Sequence, residues 1–386
     1  MIVRIAVIGI MLGLGVMILT LAIIRGFKSE IRGKVRGFSG DMVVIKNDLN
    51  GSYENSPIAF DPDFVKKALV SPLITNVMPF ATKPGIIKAK TDIEGIVLKG
   101  VDKQYDWSAF KKNMIAGDVI DFKDTDKSKK QLLISQTIAN RLGLKVGDKV
   151  LIYFVQAPML IRQFVIKGIF SFDLEEVDKT YVVGDISVIR RLNNWSPGQI
   201  GGYEIRASSF DQIKPAEDEI DNLLPGSALK SYSLMDNYPA IFAWLDLLDG
   251  NTFVVLVLMI MVALINMISA LLIMILERTS MIGILKAMGA TNWTLQKVFL
   301  YNALYIIGLG MLFGNLFGLG LGFIQSYTHV FKLDPQSYYM SSVPIQFNIV
   351  DLILLNIGTL IICLEVMIGP SMLVTEITPV KAIKFK

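Results

Sequence analysis

Four stretches of this chain show no polar face at all. The first, Ile5–Ile24, runs twenty residues without a charge, and at about 1.5 Å per residue a helix of that length reaches roughly the 30 Å of a bilayer's hydrocarbon core. The others are Phe253–Leu276, Val298–Ile324 and Leu352–Val374. Helices apolar on every side belong in lipid or deep in a core. The pattern therefore predicts four membrane spans, one at the start and three at the end. An apolar run near an N-terminus can also be a cleaved signal. This one is too long for a signal core and no small-x-small site precedes Arg25, so an uncleaved anchor is expected.

After the first run and before the second, the periodicity becomes one-sided. Phe27, Ile31, Val35 and Phe38 share a face within residues 26–40; Ile241, Trp244, Leu245 and Leu248 share one ahead of the second run, with Asp246 and Asp249 off it. Both read as amphipathic stalks that continue the spans, the second within residues 236–276. Between them, residues 41–235 carry short strand-like runs interrupted by helical ones. Strands are expected at Met42–Ile45, Gly85–Lys90, Gly95–Val101, Gln131–Ile134, Lys149–Phe154, Arg162–Phe170, Tyr181–Val183 and Tyr203–Ile205, and helices at Pro62–Leu69, Gln136–Leu142, Ile186–Asn193 and Asp211–Leu223. That is an α+β domain large enough for its own core, inserted between the first and second spans. Gln156, Ala157 and Pro158 sit between two strong strands and predict a hairpin tip. Met159, Leu160 and Ile161 beside it are an interaction surface if exposed and ordinary core if buried.

Composition agrees with this division: 52% of the 386 residues are hydrophobic and 19% charged, against about 25% charged in a soluble domain. The net charge of +4 is small and forms no basic stripe with interleaved aromatics, which argues against a nucleic-acid partner. One cysteine, Cys363, and one histidine, His329, leave no material for an internal disulfide, a histidine metal site or a Ser-His-Asp triad. A G-x-x-x-x-G-K-[ST] phosphate loop is absent from the sequence. Arg278, Lys286 and Lys297 between the second and third spans, and Lys381, Lys384 and Lys386 at the end, place the 277–297 loop and the 376–386 tail in the cytoplasm. The 326–351 loop, with Lys332 alone, and the 41–235 domain then lie outside, and the N-terminus inside. Arg25, Lys28, Arg32, Lys34 and Arg36 oppose that orientation, but long domains translocate largely regardless of such charges.

Within the spans, Gly310, Gly314 and Gly318 recur every fourth residue and allow close helix packing, inside one subunit or against a second. Asn266 and Ser269 are candidate interhelical hydrogen-bonding groups. Glu365 is either a functional carboxylate or a snorkelling one, and no acid–base partner lies at a matching depth.

The 277–297 loop carries the most specific pattern. Met281, Ile284, Leu285 and Met288 give Arg278–Gly289 the spacing of a short amphipathic helix that lies on a membrane surface or docks in a partner's groove, with Gly289 suited to its C-terminal cap. Arg278, Thr279, Ile282, Gly283, Ile284, Leu285, Lys286, Ala287, Met288, Gly289 and Ala290 together resemble the coupling-helix motif of FtsX-like, MacB-type ABC transporter permeases. Gly369–Pro370–Ser371 and Ile377–Ile383 resemble that family's closing signature. Tyr338–Met340 with Val343–Ile345, and Ile134–Asp148, are similar to its lipoprotein-releasing, LolC/LolE-type branch.

The resemblance implies a non-catalytic permease subunit of a bacterial inner membrane, in a one-plus-three arrangement of spans with a MacB-like periplasmic domain. It would work with a LolD-type ATPase that holds the ATP and Mg, a second permease subunit, like or unlike, and a LolA-type periplasmic carrier. This chain itself would bind no cofactor. Lipoproteins would be released by mechanotransmission, with residues 278–289 receiving the ATPase stroke and Gln156–Leu160 in the place of a carrier-binding hook. Met281 stands where the motif usually has an acidic residue, and the first span begins almost at residue 1, where relatives carry a short cytoplasmic segment. Acyl burial at about 0.8 kcal/mol per CH₂ makes unassisted release negligible. A cleft for the acyl chains is expected from Met11, Leu14, Met17 and Ile18 of the first span and Met259, Val262 and Ile265 of the second, unless these face lipid or pack. The same resemblance admits MacB-type efflux or export, or FtsX-like regulation of cell-wall hydrolases.

Overall fold

The computed structural model describes residues 2–48, 52–89, 92–334 and 338–376. Lys90, Lys381, Lys384, Lys386 and the closing signature Ile377–Ile383 lie outside the described residues. The chain divides into two compact units: Met1–Ser29, Ala243–Leu333 and Ser341–Lys386 in one, Glu30–Phe242 and Asp334–Met340 in the other.

Among the described residues, the first unit is built on four helices long and apolar enough to cross a membrane: Ile2–Ser39, Pro239–Glu277, Asn292–Thr328 and Ile349–Ser371. Local chemistry sets their ends. Thr291 caps the third by accepting from Thr294 N at 3.2 Å, and Asn348 caps the fourth by accepting from Val350 N at 2.8 Å. The glycines of the third helix pack against the first helix of the same chain. A Cβ added to Gly310 would lie 2.6 Å from Ile10 Cβ, and one on Gly318 would lie 3.0 Å from the Gly15 carbonyl oxygen. Only a residue without a side chain permits that approach. The second helix meets the first as closely, because a Cβ on Gly9 would fall 1.5 Å from Asn266 Nδ2. Ser269 departs from expectation: its hydroxyl donates to Ile265 O of its own helix at 2.8 Å. Asn315 and Asn356 do bond between helices: their amides exchange bonds of 2.7 and 3.0 Å between the third and the fourth.

The second unit is α+β. Its strands among the described residues are β1 (Met42–Lys46), β2 (Ile58–Ala59), β3 (Ile74–Ala89), β4 (Asp92–Val101), β5 (Met114–Gly117), β6 (Gln131–Ser135), β7 (Lys149–Phe154), β8 (Leu160–Phe170), β9 (Tyr181–Asp185), β10 (Gln199–Ile200), β11 (Gly202–Ala207) and β12 (Leu229–Ser233). Ten form one mixed sheet in the order β12-β1-β11-β3-β4-β9-β6-β8-β5, with β7 bridging β3 and β8; β2 and β10 pair separately. The sequence pattern yields the second half of β3 but not the first. Between Phe80 and Ile86 one edge of this strand passes from β11 to β7, and Pro84, just ahead of the expected start at Gly85, falls in that gap. Helices Pro62–Val70, Gln136–Leu142, Ile186–Leu192 and Ile213–Leu223 bury their apolar faces in the same core as the sheet. Asp61, Ser135 and Asp185 cap the first three through their side chains.

The basic residues after the first apolar run prove to be structural. Phe27, Ile31, Val35 and Phe38 are buried as the periodicity requires. Within the first unit, Arg25 pairs with Asp351 at 2.8 Å and Lys28 with Asp249. Within the second, the Arg32 guanidinium lies 3.9 Å from the centroid of the Phe210 ring, and Lys34 Nζ donates to Asp173 and to Tyr339 O, each at 2.8 Å. Arg36 forms a two-pronged pair with fully buried Asp41, which also accepts from Ala207 N at 2.8 Å. The end of the first helix is thereby fastened to the sheet by charge-assisted bonds.

Candidate functional site

The segment between the second and third long helices folds as a separate short helix, Thr279–Ala287. Its C-terminus closes in a Schellman arrangement. Ala290 N donates to Leu285 O and Gly289 N to Lys286 O, both at 3.0 Å, and Gly289 takes φ +96°, a conformation inexpensive for glycine. The helix has two faces. Ile282 and Gly283 are buried, and Ile282 shares an apolar cluster with Met267, Leu271, Leu295, Phe299 and Met367, with Leu285 packed at its edge. Met281, Ile284 and Met288 point outward and are 39%, 50% and 71% exposed.

The sequence reading grouped Leu285 with those three, but the structure turns it inward and leaves an i, i+3, i+7 stripe. Arg278 is the residue at which the second helix ends, and Ala287 is exposed on the connector's last turn. Lys286 reaches back to the short helix Leu373–Glu376 that follows the fourth, donating to Val374 O at 2.7 Å and Thr375 O at 3.1 Å. Partial burial lowers its pKa below the ordinary lysine value. The connector is thus an apolar stripe on a helix braced from behind.

A second exposed apolar feature lies in the sheet unit. β7 and β8 pair up to Phe154 opposite Leu160, and the tip holds Gln156, Ala157, Pro158 and Met159. Val155, Met159 and Ile161 are exposed, whereas Leu160 packs against the core. Gln156 Nε2 donates to Leu192 O at 3.2 Å, tying one side of the tip to the helix Ile186–Leu192.

The seven residues expected to line a cleft separate in this chain. Leu14, Met17 and Ile18 are fully buried in a cluster that Met259 borders. Met11 is partly buried, and Val262 and Ile265 face outward. Methionines at helix contacts fill gaps as readily as they bind ligands, and periodicity alone does not separate the two uses. Glu365 sits on an exposed face of the fourth helix. The Asn315–Asn356 pair escaped the sequence reading, although two carboxamides in facing apolar runs were a visible signal.

Long apolar helices, a braced connector and an α+β unit are the build of a membrane permease subunit. Residues 5–223 match the MacB-like periplasmic core domain family, and residues 253–379 match the FtsX-like permease C-terminal family. The chain belongs to the FtsX-like, MacB-type permease family. It is 20% identical to the lipoprotein-releasing system transmembrane protein LolC of Xylella fastidiosa, over 99% of this chain and 93% of that one. It is 21% identical to the corresponding LolE of Haemophilus influenzae, over 99% and 94%. The crystal structure of the periplasmic region of MacB from Actinobacillus actinomycetemcomitans aligns at TM-score 0.38 and 15% identity, covering 54% of this chain and 95% of that one.

Proposed function

We propose that this chain is the permease subunit of an ABC transporter that releases lipoproteins from an inner membrane. Its spans stand in a one-plus-three arrangement, with the sheet unit in the periplasm and both termini in the cytoplasm. The exposed Met281–Ile284–Met288 stripe carries this reading. An apolar helical stripe on a rigid backing suits a groove on a companion ATPase, which supplies the ATP and Mg that this chain does not bind. Lys286, joined to the short helix that follows the fourth, gives the stroke a path into the bundle. The full-length likeness to LolC and LolE supports lipoproteins as the cargo, and the hairpin with exposed Val155, Met159 and Ile161 is the surface offered to a periplasmic carrier. Outward-facing Val262 and Ile265 line the surface where acyl chains or a second permease subunit would lie.

The test is depletion of the chain in cells, followed by fractionation of lipoproteins between the two membranes. Retention in the inner membrane is expected. Normal delivery to the outer membrane would overturn the assignment and favour the efflux or hydrolase-regulating roles known in the wider family.

A further inference from the structure

The sheet unit holds a cavity of 660 Å³ that the permease function does not use. That volume falls in the range of small-molecule sites, about 300–1,000 Å³. Its walls include the rings of Phe38, Tyr53, Tyr181 and Tyr238 and the ion pair of Lys99 with Glu204. Phe38 and Tyr181 have centroids 5.0 Å apart, and Tyr53 meets Tyr181 edge-on at 6.5 Å.

The ion pair decides what chemistry the cavity accepts. Lys99 and Glu204 are 2% and 3% exposed, and Lys99 Nζ lies 2.6 Å from Glu204 Oε1. The ammonium's remaining donors are engaged by Phe38 O and, at 3.4 Å, by Tyr105 Oη. It has nothing left to offer an anion. Glu204 Oε2, in contrast, is buried with no hydrogen-bond partner among the described residues. An unsatisfied carboxylate oxygen is costly to bury. Exposed Glu176 adds a second carboxylate to the lining, and the nearby Arg206 is paired with Asp106 at 3.2 Å. The lining therefore has one more negative charge than positive, a spare acceptor and several aromatic surfaces. That combination selects a cation bearing N–H donors, because a carboxylate accepts from it and ring faces attract it.

The geometry points to a binding site for a small organic amine, protonated and carrying an aromatic or apolar group, with Glu204 Oε2 as its acceptor and Tyr53 and Tyr181 against its body. This goes beyond the transport reading and stands whether or not that reading holds. The probe is phenethylamine, titrated into the full-length chain in lipid nanodiscs and followed by ligand-observed NMR, with empty nanodiscs subtracted. Neutral 2-phenylethanol and anionic phenylacetate serve as isosteres. The amine should bind at least about tenfold more tightly than the alcohol, and the anion should give no saturable signal. Glu204→Gln should abolish the amine's advantage while leaving alcohol binding unchanged. Tyr53 is exposed, so Tyr53→Ala leaves the fold intact and should weaken amine binding about three- to tenfold. Equal affinities for amine and alcohol on the native chain would overturn the proposal, as would unchanged amine binding in Tyr53→Ala. If Glu204→Gln fails to fold, those two measurements decide.

Discussion

The connector Thr279–Ala287 and the hairpin tip at Gln156–Met159 both expose apolar side chains, yet they are mounted differently. Behind the connector stand Ile282 in the bundle cluster, a Schellman cap at Gly289 and the Lys286 bonds to the short helix Leu373–Glu376. Behind the hairpin stand two strands, the half-buried Leu160 and one bond of 3.2 Å from Gln156 to Leu192 O. A surface that must pass on force needs rigid backing on several sides. A surface that only has to capture a partner can rest on a lever. The connector has the first build and the hairpin the second, which is why the proposed ATPase contact is assigned to one and the carrier contact to the other.

The largest expected effects separate the two faces of the connector. Ile284→Asp places a charge in the outward stripe and should reduce binding of the companion ATPase about thirtyfold or more, with thermal unfolding of the purified chain unchanged. Ile282→Ala should do the reverse, costing about 2–4 kcal/mol of stability through the cavity it leaves. If both substitutions destabilise the chain and neither alters ATPase binding, the two-faced reading fails.

The hairpin's root supplies the next test. β8 ends at Phe170, and the short helix Glu175–Asp178 that follows holds buried Asp178, which accepts from Ser171 Oγ at 3.1 Å and Phe172 N at 3.2 Å. Burial, opposed by those bonds and assisted by nearby Asp173, pushes the Asp178 pKa up to about 6. The sign follows from linkage. The native state holds this proton more tightly than the unfolded chain, so the stabilisation is complete below about pH 4 and is lost as pH rises through 6. A loss on the order of 2–3 kcal/mol is expected across that window. Melting temperatures of the native chain from pH 4 to pH 7 should fall, and those of Asp178→Asn should lose that component. A native profile flat across this range would show that Asp178 ionises without penalty. A smaller effect belongs to the tip itself: Met159→Asp should weaken carrier binding about three- to tenfold and leave ATPase binding untouched. Equal loss of both would place the two surfaces under common control.

How much of this could be read from the residues depended on the kind of signal. The long helices were legible because lipid demands unbroken apolar runs. The stalk faces were legible because Phe27, Ile31, Val35 and Phe38 repeat at helical spacing and are buried. Gly289 announced its own cap. The first half of β3 was hidden because Pro79 and Pro84 mask a strand whose partners change midway. Leu285 was misassigned because a short helix with apolar residues on both sides gives no single moment, and only the bundle behind it decides which side is inward. The partners of Arg25, Lys28, Arg32, Lys34 and Arg36 are distant in sequence, so the cluster read as an anomaly of topology when it is a row of fastenings. The cavity around Glu204 was invisible for the same reason, since its walls come from parts of the chain as far apart as Phe38, Lys99, Tyr181 and Tyr238.

The smallest expected effect tests whether bracing matters apart from docking. Lys286 donates to two carbonyls of the short helix Leu373–Glu376 and takes no part in the outward stripe. Lys286→Met removes those bonds, worth about 0.5–1.5 kcal/mol in total because water can replace them at an exposed helix end. ATPase affinity should stay the same, while stimulation of ATP turnover by the assembled complex should fall about two- to threefold. Lys286→Arg, which keeps a donor in reach, should restore part of it. Were the loss to appear in affinity instead, Lys286 would belong to the docking surface and the connector would transmit force without this link. Were neither quantity to change, the braces that distinguish the connector from the hairpin would lie in Ile282 and the Gly289 cap alone.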